Sequence, residues 1–233
     1  MSKHKNTIAI LLSVWFIANF IPHIIVFLAS GKIYYQLAPV WGLAVESSIM
    51  LLNLLLPVIS LRYFSHQKEH ILQNLGWRWG GWRTIWIGLL GFVVYMVTMI
   101  GTQLIGEPIG SPPQRFTSQE LVFVLILLLV LTAAAEEMMF RGYIQTILTK
   151  EYGTWIGIGS AAMLFGLRHL PMDLYNGLVQ HAPPTAWISR MLQLYIGALL
   201  FGMARHRAKS TWASWIMHEA VLILIVILGI VLS

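Results

Sequence analysis

Long apolar runs, separated by short polar connections, are the feature that most restricts how this chain of 233 residues folds. Charged residues make up 10% of the chain and hydrophobic residues 58%, whereas soluble domains usually carry about 25% charged residues. An α-helix needs about 20 apolar residues to cross a bilayer. The sequence therefore predicts an all-α protein, a polytopic membrane helix bundle.

We predict about seven transmembrane helices, with six to eight as the range. The fourth is longer than a bilayer requires, so we expect its last turns to protrude. The fifth is short and ends in polar residues, so we expect it to be buried in protein. Residues 1–117 would hold N-terminal helices and a tryptophan-rich cytoplasmic interfacial segment, and residues 118–233 a catalytic core. The predicted spans are residues 7–29, 40–62, 84–106, 118–149, 154–170, 186–204 and 212–232.

Basic residues in the connections predict the orientation. With a cytoplasmic N-terminus, ten Lys and Arg residues lie inside and only Lys32 and Arg115 lie outside, as the positive-inside rule requires. The net charge of +6 is spread over these connections, so membrane topology explains it better than nucleic-acid binding does. The chain has no cysteine, which excludes disulfides and thiolate metal sites.

A charged cluster ends the apolar run of residues 121–135. Glu136, Glu137 and Arg141 lie within six positions, and each charge in a membrane span costs at least about 2.5–3.5 kcal/mol. At about 100° per residue, Glu137 and Arg141 are one helical turn apart, while Glu136 points about 140° away from Arg141. This spacing predicts a buried Glu137–Arg141 ion pair and leaves Glu136 facing another group. A salt-bridge network of all three residues is the alternative.

Two histidines accompany the cluster. Predicted spans four and five form a hairpin around residues 150–154, and Glu136 and His169 are each about 20 Å from its turn, at about 1.5 Å per residue. His218 lies in the last span. A carboxylate near imidazoles suits general-base work on a water molecule, whereas a single intramembrane histidine more often only bonds neighbouring helices. Arg168 is either an active-site electrostatic element or, as we favour, a counter-ion. We expect Glu219 to pair with Arg190 or Arg168.

The motifs resemble a known family. Glu-Glu-x-x-Phe-Arg-Gly at residues 136–142, Phe-x-x-x-His at residues 165–169 and the histidine of the last helix are similar to those of the CPBP (Abi) intramembrane proteases, which include the CAAX prenyl endopeptidases. The likeness covers about residues 118–222. It implies that Glu136 activates the hydrolytic water, that His169 assists, and that His218 helps to hold the oxyanion. The family is described both as glutamate-type and as metal-dependent, and both mechanisms stay open for this chain. A metal would take these same three residues as ligands, and carboxylate and imidazole ligands suit zinc.

The resemblance also implies supporting roles and contains one departure. Glu137 and Arg141 would be structural support, and Phe165 would be packing. The family usually has asparagine four residues after the last histidine, where this chain has Leu222. Because an oxyanion donor can be worth roughly 10²–10³ in kcat, either another donor substitutes or the protein is slow or inactive.

Three functions remain under consideration. The first is an intramembrane endopeptidase that cleaves a membrane-associated peptide or protein, in a bacterial plasma membrane. The second is a catalytically weak or inactive scaffold or bacteriocin-immunity protein of the same fold, which Leu222 favours. The third is a transporter with a proton relay, against which the lack of a sequence repeat counts. The partners would be the peptide substrate and the lipid bilayer, and the oligomeric state is left open.

Overall fold

The computed structural model describes residues 2–32, 39–64, 70–107, 125 and 131–231. All regular elements in these ranges are helices, which confirms the prediction of an all-α helical bundle. The proposed boundary at residues 117 and 118 lies outside the described ranges, and the division into two parts stays a prediction.

The described residues of the first half form three long helices and a short one. These are α1 (Ser2–Ser30), α2 (Pro39–Phe64), the single-turn α3 (Ile71–Asn74) and α4 (Trp82–Gln103). Helices α1 and α2 pack together, and the buried amides of Asn19 and Asn53 exchange hydrogen bonds of 3.3 and 3.2 Å. Hydrogen bonds between polar side chains are a common way to join helices in a membrane, and this pair fixes how α1 and α2 align.

In the second half, the first element with stated bounds belongs to a helix that changes its winding. The chain passes from α5 (Ala133–Glu136) into a π-helix, π1 (Glu137–Ile144), and then into α6 (Gln145–Tyr152), with helical backbone angles at both junctions. Three long helices follow, α7 (Thr154–Val179), α8 (Pro184–Ala208) and α9 (Thr211–Val231). Helix α7 packs on α6 and α8, while α4 packs on α8 and α9.

Four helices are long and apolar enough to cross a membrane among the residues described, namely Asn6–Ser30, Trp41–Tyr63, Trp82–Gln103 and Pro184–Ala208. They coincide with the first, second, third and sixth predicted spans. Most of the first half of the fourth predicted span lies outside the described residues. Helix α9 occupies the position of the seventh predicted span.

The prediction for the fifth span was wrong in two respects. Helix α7 does not end near residue 170 but continues through Pro171 to Val179, because the polar side chains that suggested an end are bonded inside the protein. The helix is also buried on one face only. Phe165 is 5% exposed, whereas Trp155 and Met163 are 74% and 56% exposed.

Among the elements that the structure describes, π1 is the best buried. Met139, Phe140, Tyr143 and Ile144 are at most 1% exposed and lie in the main hydrophobic core. The Tyr143 hydroxyl lies 2.6 Å from the hydroxyl of Ser60 on α2. Helices α2, α7 and α9 all pack against π1, so the charged cluster of this segment is placed at the centre of the bundle.

Candidate functional site

The site is built on the junction of α5 and π1. Glu136, Glu137 and Arg141 are 3%, 0% and 1% exposed, so all three charges are withdrawn from solvent. Arg141 Nη1 donates a hydrogen bond of 3.1 Å to Glu137 Oε1, which is the contact that the helical spacing predicts. The wider π turn was not anticipated, and such π segments frequently occur at functional sites.

Arg141 is enclosed by aromatic rings as well as by its carboxylate. Its Nη2 donates to the backbone oxygen of Ala198 at 3.2 Å. Its guanidinium carbon lies 4.9 Å from the ring centroids of both Phe165 and Phe201, a geometry that adds cation–π attraction. The charge of Arg141 is therefore compensated on several sides. Phe165 lies in the main hydrophobic core and also contacts this cation, while its supporting role stays a prediction.

Helix α9 brings His218 to both glutamates. Its Nδ1 lies 3.0 Å from Glu137 Oε1, and its Nε2 lies 3.6 Å from Glu136 Oε2. Because a carboxylate only accepts hydrogen bonds, the Glu137 contact assigns the hydrogen to Nδ1. The ring of Phe201 stacks on the imidazole with centroids 4.8 Å apart. Nε2 is thereby aimed at Glu136.

Glu136 has a second partner that the sequence did not identify. Arg168 Nη1 on α7 bonds Glu136 Oε1, and the Arg168 side chain is only 10% exposed. The two oxygens of Glu136 thus face an arginine and a histidine. The site therefore contains two carboxylates and two guanidiniums, and their formal charges cancel. These groups belong to Glu136, Glu137, Arg141 and Arg168. This balance makes the burial of four charges tolerable.

His169 lies beside the same cluster. Its Nδ1 lies 2.9 Å from the backbone oxygen of Phe165, one helical turn earlier on α7. The Phe165 ring lies between the two histidines, 4.8 Å from His169 and 6.5 Å from His218 by ring centroids. The three residues proposed for catalysis from the sequence therefore lie in one region of the bundle.

Two further arginines have acidic partners. Arg190 bonds Asp173 at 3.1 Å, and Arg168 bonds Glu136. The expected pairing of Glu219 with one of these arginines stays a prediction. Arg168 is a counter-ion, and its partner is Glu136, the residue proposed to be the base. Leu222 lies one helical turn beyond His218 and is partly buried.

A zinc site was considered at Glu136, His169 and His218. A catalytic zinc needs three protein ligands with an open fourth position. Within the described ranges, no group of three or more His, Cys, Asp and Glu side chains is arranged to hold a metal ion, and a guanidinium already bonds Glu136. The donors as placed do not fit zinc, and no step below passes through a metal.

The sequence comparison agrees with the motifs. Residues 118–231 match the sequence model of the family described as type II CAAX prenyl endopeptidase Rce1-like, which confirms the resemblance drawn from the motifs. The matched segment contains every residue of the cluster. No protein of curated function and no solved structure matches the chain.

Proposed function

We propose that this chain is a membrane-embedded endopeptidase of the type II CAAX prenyl endopeptidase family, which hydrolyses a peptide bond with a water activated by Glu136. The observation that carries the proposal is the arrangement around this buried carboxylate. Its two oxygens face Arg168 and His218, within a segment that matches the family. The two nitrogen groups hold this carboxylate in a fixed position, from which it can accept a proton from a water molecule.

The reaction begins at the water bound to Glu136. As the water oxygen bonds to the carbonyl carbon of the substrate, one water proton moves to Glu136 and the carbonyl electron pair moves to its oxygen. When the tetrahedral intermediate collapses, the carbon–nitrogen bond breaks and Glu136 gives its proton to the leaving nitrogen. The products are a carboxylic acid and an amine, and the carboxylate of Glu136 is restored.

His218 stabilises the oxyanion in this scheme. Glu137 accepts from Nδ1, which orients the ring. In the proposed scheme, a proton on Nε2 is the donor for the developing negative charge. Glu137 is therefore a positioning residue, and Arg141 supports it by sharing the same oxygen, Oε1. His169 lies on the α7 side of the site, and its proposed role is to assist Glu136 in activating the water.

Arg168 has a positioning role as well. A lone carboxylate that is 3% exposed pays a large desolvation cost and takes up a proton instead. The guanidinium of Arg168 offsets this cost, so Glu136 stays a carboxylate and remains able to accept the water proton. Arg168 occupies one of the unspecified positions of the Phe-x-x-x-His motif, and this role comes from its contact alone.

One observation favours a second function. The family usually has asparagine at the position of Leu222, and the leucine side chain has no hydrogen-bond donor. Without the asparagine amide, His218 is the proposed oxyanion donor. A non-catalytic scaffold or immunity protein that holds a peptide at the same site is therefore the alternative.

The proposed location is a bacterial plasma membrane with a cytoplasmic N-terminus, and the proposed substrate is a membrane-associated peptide.

The experiment compares purified wild-type protein with Glu136→Gln in liposomes. The probes are a farnesylated peptide with a CAAX-type C-terminus and an unprenylated apolar peptide of the same sequence, incubated in ¹⁸O-labelled water. Wild-type protein should release a fragment whose new carboxyl group carries one ¹⁸O atom, as seen by mass spectrometry. Glu136→Gln should lower the rate by about 10²–10⁴-fold, which is the usual contribution of a general base.

The matched control is Glu151→Gln at the end of α6, which makes the same chemical change away from the site. It should cleave like the wild type, and both variants should be folded and equally abundant. Cleavage of the probe by Glu136→Gln at the wild-type rate would remove Glu136 from the mechanism. Binding of both peptides without cleavage by the wild type would favour the scaffold function.

A further inference from the structure

A groove between α4 and α8 lies apart from the charged cluster. Its volume is about 430 Å³, and most of its lining is apolar. Leu90, on its α4 wall, is 66% exposed, so the groove faces the outside of the bundle, where lipid surrounds a spanning helix. The residues that matter for its chemistry are Leu90, Val94, Leu200 and Met203 along the walls, and Arg83 and Arg207 at one end.

The basic end of the groove is held in place by backbone contacts. Arg83 Nη2 donates to the backbone oxygen of Arg207 at 3.0 Å, which joins the first turn of α4 to the last turn of α8. The neighbouring connection is fixed to the start of α9, because Thr211 N donates to the oxygen of Gly76 at 2.8 Å. Among the residues that the structure describes, no acidic side chain lines the groove. The side chains of Arg83 and Arg207 are exposed, so an anion can bind them.

The length of the groove matches one leaflet of a bilayer. Arg83 and Val94 are eleven positions apart on α4, which is about 16 Å of helix. Half of the hydrocarbon core of a bilayer is about 15 Å thick. Arginines at headgroup depth with an apolar channel of this length below them have the shape and charge of a phospholipid site.

We propose that this groove binds an anionic phospholipid. Its phosphate lies against Arg83 and Arg207, and an acyl chain follows Leu90, Val94 and Leu200 into the membrane. Basic pockets between transmembrane helices select anionic headgroups in this way, while a zwitterionic lipid brings no net charge to the two guanidiniums. The proposal does not depend on the proposed peptidase function.

The bound lipid also supports the candidate site from outside. Val94 precedes Tyr95, and Leu200 precedes Phe201. These two rings stack with centroids 5.7 Å apart, and Phe201 in turn stacks on His218. A lipid that fills the groove packs against the outer side of the helix pair whose inner side positions this histidine. Occupation of the groove should therefore raise the stability of the whole protein.

The test measures lipid binding by full-length protein in dodecyl maltoside. Native mass spectrometry follows the titration of dioleoyl phosphatidylglycerol and dioleoyl phosphatidylcholine, and thermal unfolding is recorded in parallel. We expect tighter binding of phosphatidylglycerol and a higher unfolding temperature with it. The double variant Arg83→Gln/Arg207→Gln should weaken phosphatidylglycerol binding roughly 30-fold at low ionic strength, as the loss of two basic residues near the headgroup predicts.

Two matched controls keep the test specific. Arg62→Gln/Lys150→Gln removes the same charge from exposed positions outside the groove and should bind like the wild type. Val94→Phe fills the groove and should weaken binding, whereas Val97→Phe on the same helix should not. Equal binding of the two lipids by the wild type, an equal loss in the control pair, or unchanged binding by Val94→Phe would each overturn the proposal.

Discussion

Removal of the Arg141 charge should be the most destabilising single change in the site. The substitution Arg141→Met keeps an apolar stem of similar length and deletes the guanidinium. It leaves Glu137, which is 0% exposed, without its ion-pair partner, while the contact from His218 Nδ1 remains. Breaking a buried ion pair by removing one member costs about 3–5 kcal/mol.

The remaining contact of Glu137 and the lost cation–π contacts act in opposite directions. His218 still donates to Glu137, which places the ion-pair term near the lower end of that range. The loss of attraction to two aromatic rings adds about 1–2 kcal/mol. We therefore expect the free energy of unfolding to fall by about 4 kcal/mol.

The assay is equilibrium unfolding in mixed micelles, with Arg62→Met as the control for loss of an exposed arginine. That control should lie within about 0.5 kcal/mol of the wild type. The double variant Arg141→Met/Glu137→Gln removes the uncompensated charge and should recover at least about 1.5 kcal/mol of the loss, since coupled residues are not additive. A loss below about 1 kcal/mol in the single variant, or no recovery in the double variant, would refute the argument that the pair is coupled in a dry core.

Three further predictions concern the chemistry. Arg168→Gln should lower the cleavage rate of the prenylated probe by about 10²-fold, and Arg168→Lys should retain a larger share of the rate. The reason is that a cation at this position holds Glu136 ionised. Equal rates for the two variants would contradict this role. Leu222→Asn should raise kcat by about 10²-fold if an oxyanion donor is missing. The control is Leu222→Val, which adds no donor. An unchanged kcat in Leu222→Asn would show that no donor is needed at this position. Treatment with EDTA or phenanthroline should leave the cleavage rate unchanged, and a loss that added zinc restores would show that the described donor arrangement is not the active one.

Much of the site follows from local sequence because helical spacing is a local property. The apolar runs predict the helices, and the four-residue spacing of Glu137 and Arg141 predicts their contact without any tertiary information. The motif residues 136–142 and 165–169 were sufficient to indicate the family whose sequence model matches residues 118–231. The catalytic roles of Glu136, His169 and His218 remain predictions.

Contacts between helices required the structure. The partner of Glu136 depends on how α7 lies against α5, and a spacing of 32 residues carries no periodic signal for it. A single arginine beside His169 was a signal that something needed its charge, but several acidic residues were possible partners. The stacking of Phe201 on His218 likewise joins α8 to α9, and the sequence gives no indication of which ring faces which.

The sequence by itself thus determined a membrane-embedded helical bundle with a costly charged cluster, because insertion cost and helical periodicity act over short stretches of chain. Only the tertiary structure decided how the charges cancel. Two glutamates share two arginines and a histidine that come from different helices, and their distances are fixed by packing rather than by sequence separation. The same packing placed Arg83 beside Arg207, although 124 positions separate them.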